Sequence, residues 1–222
     1  MSRRLSAAHP ALIGLSGPDG GGKSSQTHDT AAALRAEGIL VVQVYAYGCP
    51  LCRQAPTGAH KALSHGLGGA TSRRRRVHAA VDAADLVLRV TLAALRASWG
   101  AARRHQTAVV LTDRSPLDGL VRHSDVGETL AVNVLHAALR CYRMVAVLDA
   151  QADELERRDG ENSRRQLAWQ REAFAAWTSL RNVVLVNGAA PRAHVTAELV
   201  RLIRSGAVSP GAPPGCQDWA SR

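Results

Sequence analysis

The residues best placed to do chemistry are Gly17-Pro18-Asp19-Gly20-Gly21-Gly22-Lys23-Ser24-Ser25, which satisfy the spacing G-x-x-x-x-G-K-[ST]. The glycines at 17, 20, 21 and 22 leave the loop backbone able to turn its N–H groups inward around an anion. Lys23 adds a compact ammonium charge that reaches between phosphates on a flexible stem. A helix starting at Lys23 aims its unpaired first-turn N–H groups and the positive end of its dipole at the same place. There the Ser24 hydroxyl is suited to ligate Mg²⁺, with Ser25 beside it in the first turn. These groups together suit one polyphosphate.

A loop of this kind works only between a strand and a helix. The apolar run from Ala11 to Ser16 reads as a buried first strand, and Lys23 to Glu37 as the first helix, stopped by Gly38. Further apolar or β-branched runs at Ile39 to Tyr47, Thr107 to Thr112, Met144 to Leu148 and Val183 to Val186 read as four more strands. Helical patterns lie between them at Arg73 to His105, Glu128 to Cys141, Asp153 to Arg158 and Gln166 to Leu180, with a closing helix from Pro191 to Arg204. Strands alternating with helices predict an α/β, P-loop NTPase fold: a five-stranded parallel sheet with helices on both faces. Ligands of such sheets bind at the carboxyl ends of the strands. Asp113-Arg114 after the third strand and Asp149 after the fourth therefore join the Gly17 loop as site candidates. Asp113 suits Mg²⁺, directly or through water, and Arg114 suits bidentate contact with an acceptor phosphate. From Arg157 to Arg165 the chain carries four arginines and two acids around Gly160 without an apolar residue, and reads as a mobile charged flap.

At 222 residues and 46% hydrophobic content, one domain over 1–206 with a sizeable core is expected, followed by a Pro- and Gly-rich tail at 207–222 expected to be disordered. The chain holds 26 Arg against two Lys, Lys23 and Lys61, so one of its two lysines stands at the P-loop position. The net charge of +10 suits anionic partners, but only eight aromatics and no base-stacking motif disfavour nucleic acid. Cys49 and Cys52 form a lone C-x-x-C without the second pair of a zinc ribbon, and read as reduced thiols in the irregular loop from Gly48 to Ser72. Ser2-Arg3-Arg4 and the stretch after it imitate a signal peptide, yet that stretch is needed as the first strand. No run reaches the 18 or so apolar residues of a membrane span. A soluble, cytoplasmic protein is expected.

The chain resembles the thymidylate kinase family of P-loop nucleotide kinases. Gly17 to Ser25 is similar to that family's G-x-[DE]-G-x-G-K-[ST]-[ST], including the acid at Asp19; Asp113-Arg114 matches its D-R pair. Val147-Leu148-Asp149-Ala150 with Leu155-Glu156-Arg157-Arg158 is similar to its strand, aspartate, helix and lid arginines. The resemblance implies that Lys23 and the loop amides hold the β- and γ-phosphates of ATP and Ser24 the Mg²⁺. It implies that Asp19 faces the acceptor's sugar and Arg114 its phosphate. One or more of Arg157, Arg158, Arg164 and Arg165, in a lid over about 156–166, would close over the transferring phosphoryl. It also implies a homodimer built through the long helix, which the amphipathic pattern of that helix allows. The expected activity is ATP-dependent phosphorylation of a nucleoside monophosphate, with thymidylate as the family's acceptor. The acceptor region departs from the family: no R-E-P-G segment follows the second strand, Ser115-Pro116 replaces the usual Tyr or His, and the only Phe is Phe174. A nucleoside, a sugar or another small metabolite therefore stays open as acceptor. So does a nucleotide-binding protein without significant turnover, although the guanine-reading N-K-x-D motif is absent.

Overall fold

The computed structural model describes residues 9–46, 70–160 and 162–205. The segment 47–69 with Cys49, Cys52 and Lys61, the N-terminal Arg3 and Arg4, and the tail 207–222 lie outside the described residues.

Five strands form one parallel sheet: β1 (Ala11–Ser16), β2 (Leu40–Tyr45), β3 (Ala108–Asp113), β4 (Met144–Asp149) and β5 (Val183–Asn187), in the order β2-β3-β1-β4-β5. β3 is buried along its whole length and β4 in all but its last residue, which is why both read as unbroken apolar runs rather than alternating ones. β1 is paired with β3 on one side and β4 on the other. The strand order reverses there, so a crevice opens at the carboxyl end of β1.

Side-chain alternation sends β residues to two apolar layers. Ile13, Leu15, Leu111, Ala146 and Leu148 pack against Leu34 of α1 (Lys23–Ala36) and Leu199 and Ile203 of α7 (Arg192–Ser205). On the opposite face Val145 and Val147 meet Leu117 of α3 (Pro116–Arg122) and Leu135 and Leu139 of α4 (Leu130–Cys141). Val44 and Val110 meet Ala93 and Ala97 of the 35-residue α2 (Ala70–Arg104). Helices thus cover both faces. The alanine-rich inner side of α2 brings its backbone close to β2: a Cβ at Gly100 would lie 2.7 Å from Leu40 Cδ2.

The strands and helices stand close to their expected limits, with three corrections. The long helix begins at Ala70, so the last three residues of the expected irregular loop are helical. Helix α3 was not anticipated, although its start is spelled out: Ser115 caps, Pro116 takes the first turn, and Asp118 completes a capping box. The helices expected on either side of the charged flap are present with shifted limits: α5 (Ala152–Asp159) ends at Gly160 with φ 67, and α6 (Arg164–Ala175), capped by the Ser163 side chain, starts two residues early and stops at Ala175 rather than Leu180. Ion pairs explain why a stretch with no apolar residue keeps helical form. Arg157 and Arg158 pair with Glu154, and Arg164 pairs with Asp153 at 2.7 Å.

Candidate active site

Two loops meet at the carboxyl end of the sheet. The first leaves β1 at Gly17, whose φ of 139 suits only glycine and where a Cβ would lie 2.5 Å from the Leu148 carbonyl oxygen of β4. The loop closes on itself by the Gly21 N–H bond to Pro18 O at 3.2 Å and enters α1 through Gly22, which supplies no side-chain cap. No acidic residue occupies the first turn of α1. The first N–H groups of the helix and its positive dipole end are therefore available to an anion.

Lys23 is 7% exposed, and its Nζ donates to Gly17 O at 2.9 Å and Pro18 O at 2.7 Å. The ammonium spans the loop, 3.8 Å from Asp19 Oδ1. Burial lowers its pKa, against the attraction of Asp118, Asp19 and Asp113.

The second loop leaves β3. Asp113 lies opposite Leu15 in the register and is 1% exposed, and its Oδ2 has no hydrogen-bond partner among the described residues. A buried carboxylate oxygen left in this way costs on the order of 1–3 kcal/mol unless a cation or water meets it. Arg114 follows in the left-handed region at φ 74, a conformation costing roughly 1–3 kcal/mol for a residue with a Cβ, and its N–H donates to Leu15 O at 2.9 Å. The turn aims Nη2 at Asp19 Oδ1, 3.4 Å away. Asp19 thus receives Lys23 from its own loop and Arg114 from the other. Burial alone would raise its carboxyl, but these two cations and a Gln170 hydrogen bond outweigh it and hold Asp19 below the usual carboxylate range.

Three residues join the site that sequence reasoning did not assign to it. Gln170 of α6 accepts from the Asp19 N–H at 2.9 Å and donates to Asp19 Oδ2 at 3.2 Å. Nothing in the spacing signals a contact across 151 positions. Tyr45, at the end of β2, donates through its hydroxyl to Ser24 Oγ at 2.8 Å. Asp118, the capping acid of α3, is buried beneath both loops. The Ser-x-x-Asp spacing did signal its cap but not its place.

The remaining candidates divide. Asp149 ends β4 as expected, yet its carboxylate is held by Arg171 Nε at 2.6 Å and Nη2 at 2.8 Å. Arg157, Arg158 and Arg164, expected to line a lid, lie on acids of their own segment, and Arg158 Nη1 also donates to Gly188 O at 3.0 Å after β5. None of these three is bonded to Lys23, Asp19 or Arg114. Ser24 and Ser25 are exposed in the first turn of α1.

A nucleoside triphosphate with Mg²⁺ fits this donor set. The uncapped helix start, the loop amides around Gly20 to Gly22 and the Lys23 ammonium suit phosphate oxygens, while Ser24 Oγ and the unpartnered Asp113 carboxylate suit a hard cation that takes few protein oxygens. No protein-family model matches the chain, and no curated protein matches it significantly. Among the described residues no helix is long and apolar enough to cross a membrane.

Proposed function

We propose that the chain is a P-loop phosphotransferase, a kinase that uses ATP and Mg²⁺ to phosphorylate a nucleoside monophosphate, thymidylate being the acceptor its sequence resemblance implies. The observation that carries this reading is the meeting of Lys23, Asp19 and Arg114 at the carboxyl ends of adjoining β1 and β3, with the unpartnered Asp113 carboxylate beside them. Lys23, the Gly17 to Gly22 amides and Ser25 in the first helical turn bind the triphosphate. Ser24 and Asp113 hold Mg²⁺, which screens phosphate charge. Arg114 holds the acceptor phosphate and Asp19 an acceptor hydroxyl. Lys23 and Arg114 stabilise charge that spreads over the transferring group. Arg157, Arg158 and Arg164 exchange their present acids for that group when the α5–α6 lid closes. The reading includes a single kinase domain and a homodimer through α2.

A second reading keeps the chemistry and changes the acceptor to a nucleoside, sugar or other small metabolite. Its ground is the acceptor region, where no R-E-P-G segment follows the second strand and Ser115-Pro116 stands after Arg114.

The test is ADP release from Mg²⁺-ATP with nucleoside monophosphates, nucleosides and sugars offered singly, against an acceptor-free control. Stimulation by thymidylate is the expected outcome. Stimulation by a phosphate-free acceptor alone would select the second reading, and bound ATP with no stimulation would reduce the protein to a nucleotide binder.

A further inference from the structure

Beneath the two loops lies a hydrogen-bonded knot that neither the P-loop motif nor the Asp-Arg pair explains. Ser16 Oγ, one residue before Gly17, donates to Asp118 Oδ2 at 2.6 Å, and the Ser115 N–H, one residue after Arg114, donates to the same oxygen at 2.8 Å. Ser115 Oγ lies 2.7 Å from Ser16 Oγ and accepts from the Leu117 N–H at 3.1 Å, and the Asp118 N–H returns to Ser115 O at 3.1 Å. Because the Ser16 proton is committed to Asp118, Ser115 is the donor between the two hydroxyls. Ser16 and Ser115 are 0% exposed and Asp118 4%, so water does not substitute for these bonds.

We propose that Asp118 is a positioning residue: its Oδ2 ties the P-loop to the Arg114 turn and so sets where Arg114 meets Asp19 and an acceptor phosphate. The Arg114 backbone supports this, since a non-glycine residue at φ 74 persists only where its surroundings over-determine it. Around Arg114 those surroundings are the Leu15 carbonyl before the turn and the Asp118 carboxylate after it. The role needs an acceptor oxygen rather than a negative charge. Asp118 Oδ1 has no hydrogen-bond partner among the described residues, and burial pushes the carboxyl above its usual range. An asparagine keeps the one oxygen that is used.

The acceptor half of this inference rests on the kinase reading, so the test includes a measurement that does not. Asp118→Leu removes the oxygen at similar size, Asp118→Asn retains it, and Ser16→Ala, a milder change, cuts one of its two bonds. In each the Asp19 titration is followed by carboxyl carbon NMR, and the KM values for ATP and for thymidylate are measured. In Asp118→Leu the expected result is an upward move of the Asp19 titration as Arg114 leaves it. The thymidylate KM rises at least tenfold against less than threefold for ATP. Ser16→Ala moves in the same direction by less, and Asp118→Asn stays within about threefold of the parent. Loss of a nearby negative charge alone would move Asp19 downward, so the direction separates a displaced Arg114 from an electrostatic effect. An unchanged or lowered Asp19 titration in both Asp118→Leu and Ser16→Ala would overturn the proposal. So would equal failure of Asp118→Asn and Asp118→Leu. If Asp118→Leu does not fold, Ser16→Ala decides. A parent protein that fails to phosphorylate thymidylate would sink the kinase reading and leave the Asp19 measurement to decide the role of Asp118.

Discussion

Lys23 and Arg114 are both cations at the mouth of the site, yet they are held differently, and the proposed kinase would use them differently. Lys23 is enclosed by its own loop, bonded to Gly17 O and Pro18 O, and can trade those carbonyls for phosphate oxygens without leaving the loop. If that contact contributes about 1.5–3 kcal/mol in the transition state, Lys23→Ala lowers kcat/KM by at least roughly tenfold to a hundredfold in the ADP-release assay. An unchanged rate would remove the P-loop assignment. In the proposed kinase Arg114 serves the acceptor, so Arg114→Ala is expected to raise the acceptor KM far more than the ATP KM; equal increases would argue against that role. Asp118 and Asp19 differ in the sign of their pH dependence. Asp118 has a raised carboxyl pKa when folded, so the folded state binds more protons than the unfolded one and this residue's contribution to stability falls as pH rises. The stability gap between Asp118→Asn and the parent should therefore favour the variant most at neutral pH and shrink as pH falls toward about 4. Asp19 is depressed, and its contribution is present at neutral pH and lost only as pH falls below its unperturbed 3.8. Thermal unfolding from pH 4 to 8 reads the Asp118 difference, and a gap independent of pH would contradict the raised pKa.

At the scale of elements, α6 connects α5 to the Gly17 loop. Its start at Arg164 is pinned to Asp153 of α5, Gln170 in its second half grips Asp19, and the next residue, Arg171, holds Asp149 at the end of β4. One helix therefore touches both the Gly17 loop and the end of β4, so a shift of α6 would be felt at Asp19. Gln170→Ala removes two hydrogen bonds worth together about 1–2 kcal/mol. The expected cost is roughly fivefold to thirtyfold in kcat/KM, with a Tm loss of a few degrees. Retention of full activity with the same Tm loss would limit Gln170 to a structural part. β1 and β3, by contrast, are neighbouring strands paired residue by residue, with β3 buried throughout, so the sheet side of the site rests on close-packed backbone.

At the scale of the whole molecule, α2 presents one face to the sheet and leaves another bare. Val77, Val81, Leu88, Leu92, Leu95 and Trp99 recur along it at steps of three, four and seven residues, with Leu95 62% and Trp99 64% exposed, and Arg103 stacks on Trp99 at 4.7 Å. An apolar stripe of this length on a helix of 35 residues suits a second copy of the same helix. Light scattering after size exclusion is expected to give twice the 23.6 kDa chain mass, and Leu88→Glu with Leu92→Glu to halve it. A monomeric parent would remove the homodimer from the reading. The net charge of +10 reflects arginines spread over these surfaces, many of them already paired with acids: Arg75 with Asp125, Arg192 with Asp29, and Arg204 with Glu37.

What could be read from the amino-acid order alone is what depends on near neighbours. The five strands follow from local apolar runs, the parallel sheet from their alternation with helices, and the turn between β1 and α1 from its run of glycines. Asp113-Arg114 was legible because parallel sheets collect their ligands at one edge. Helix α3 is written in Ser115, Pro116 and Asp118 as well, but at seven residues it is too short for an apolar period to mark it. Tertiary structure alone decided which candidates meet. Gln170 and Asp19 are far apart in the chain and share no pattern, and nothing local to Asp149, a strand-end site candidate, places Arg171 on its carboxylate. Asp118 reads as an ordinary helix cap; only folding shows that the oxygen capping α3 also binds Ser16 beneath the P-loop. Such contacts arise from the packing of whole elements, and local periodicity carries no record of which distant side chain that packing will bring within 3 Å.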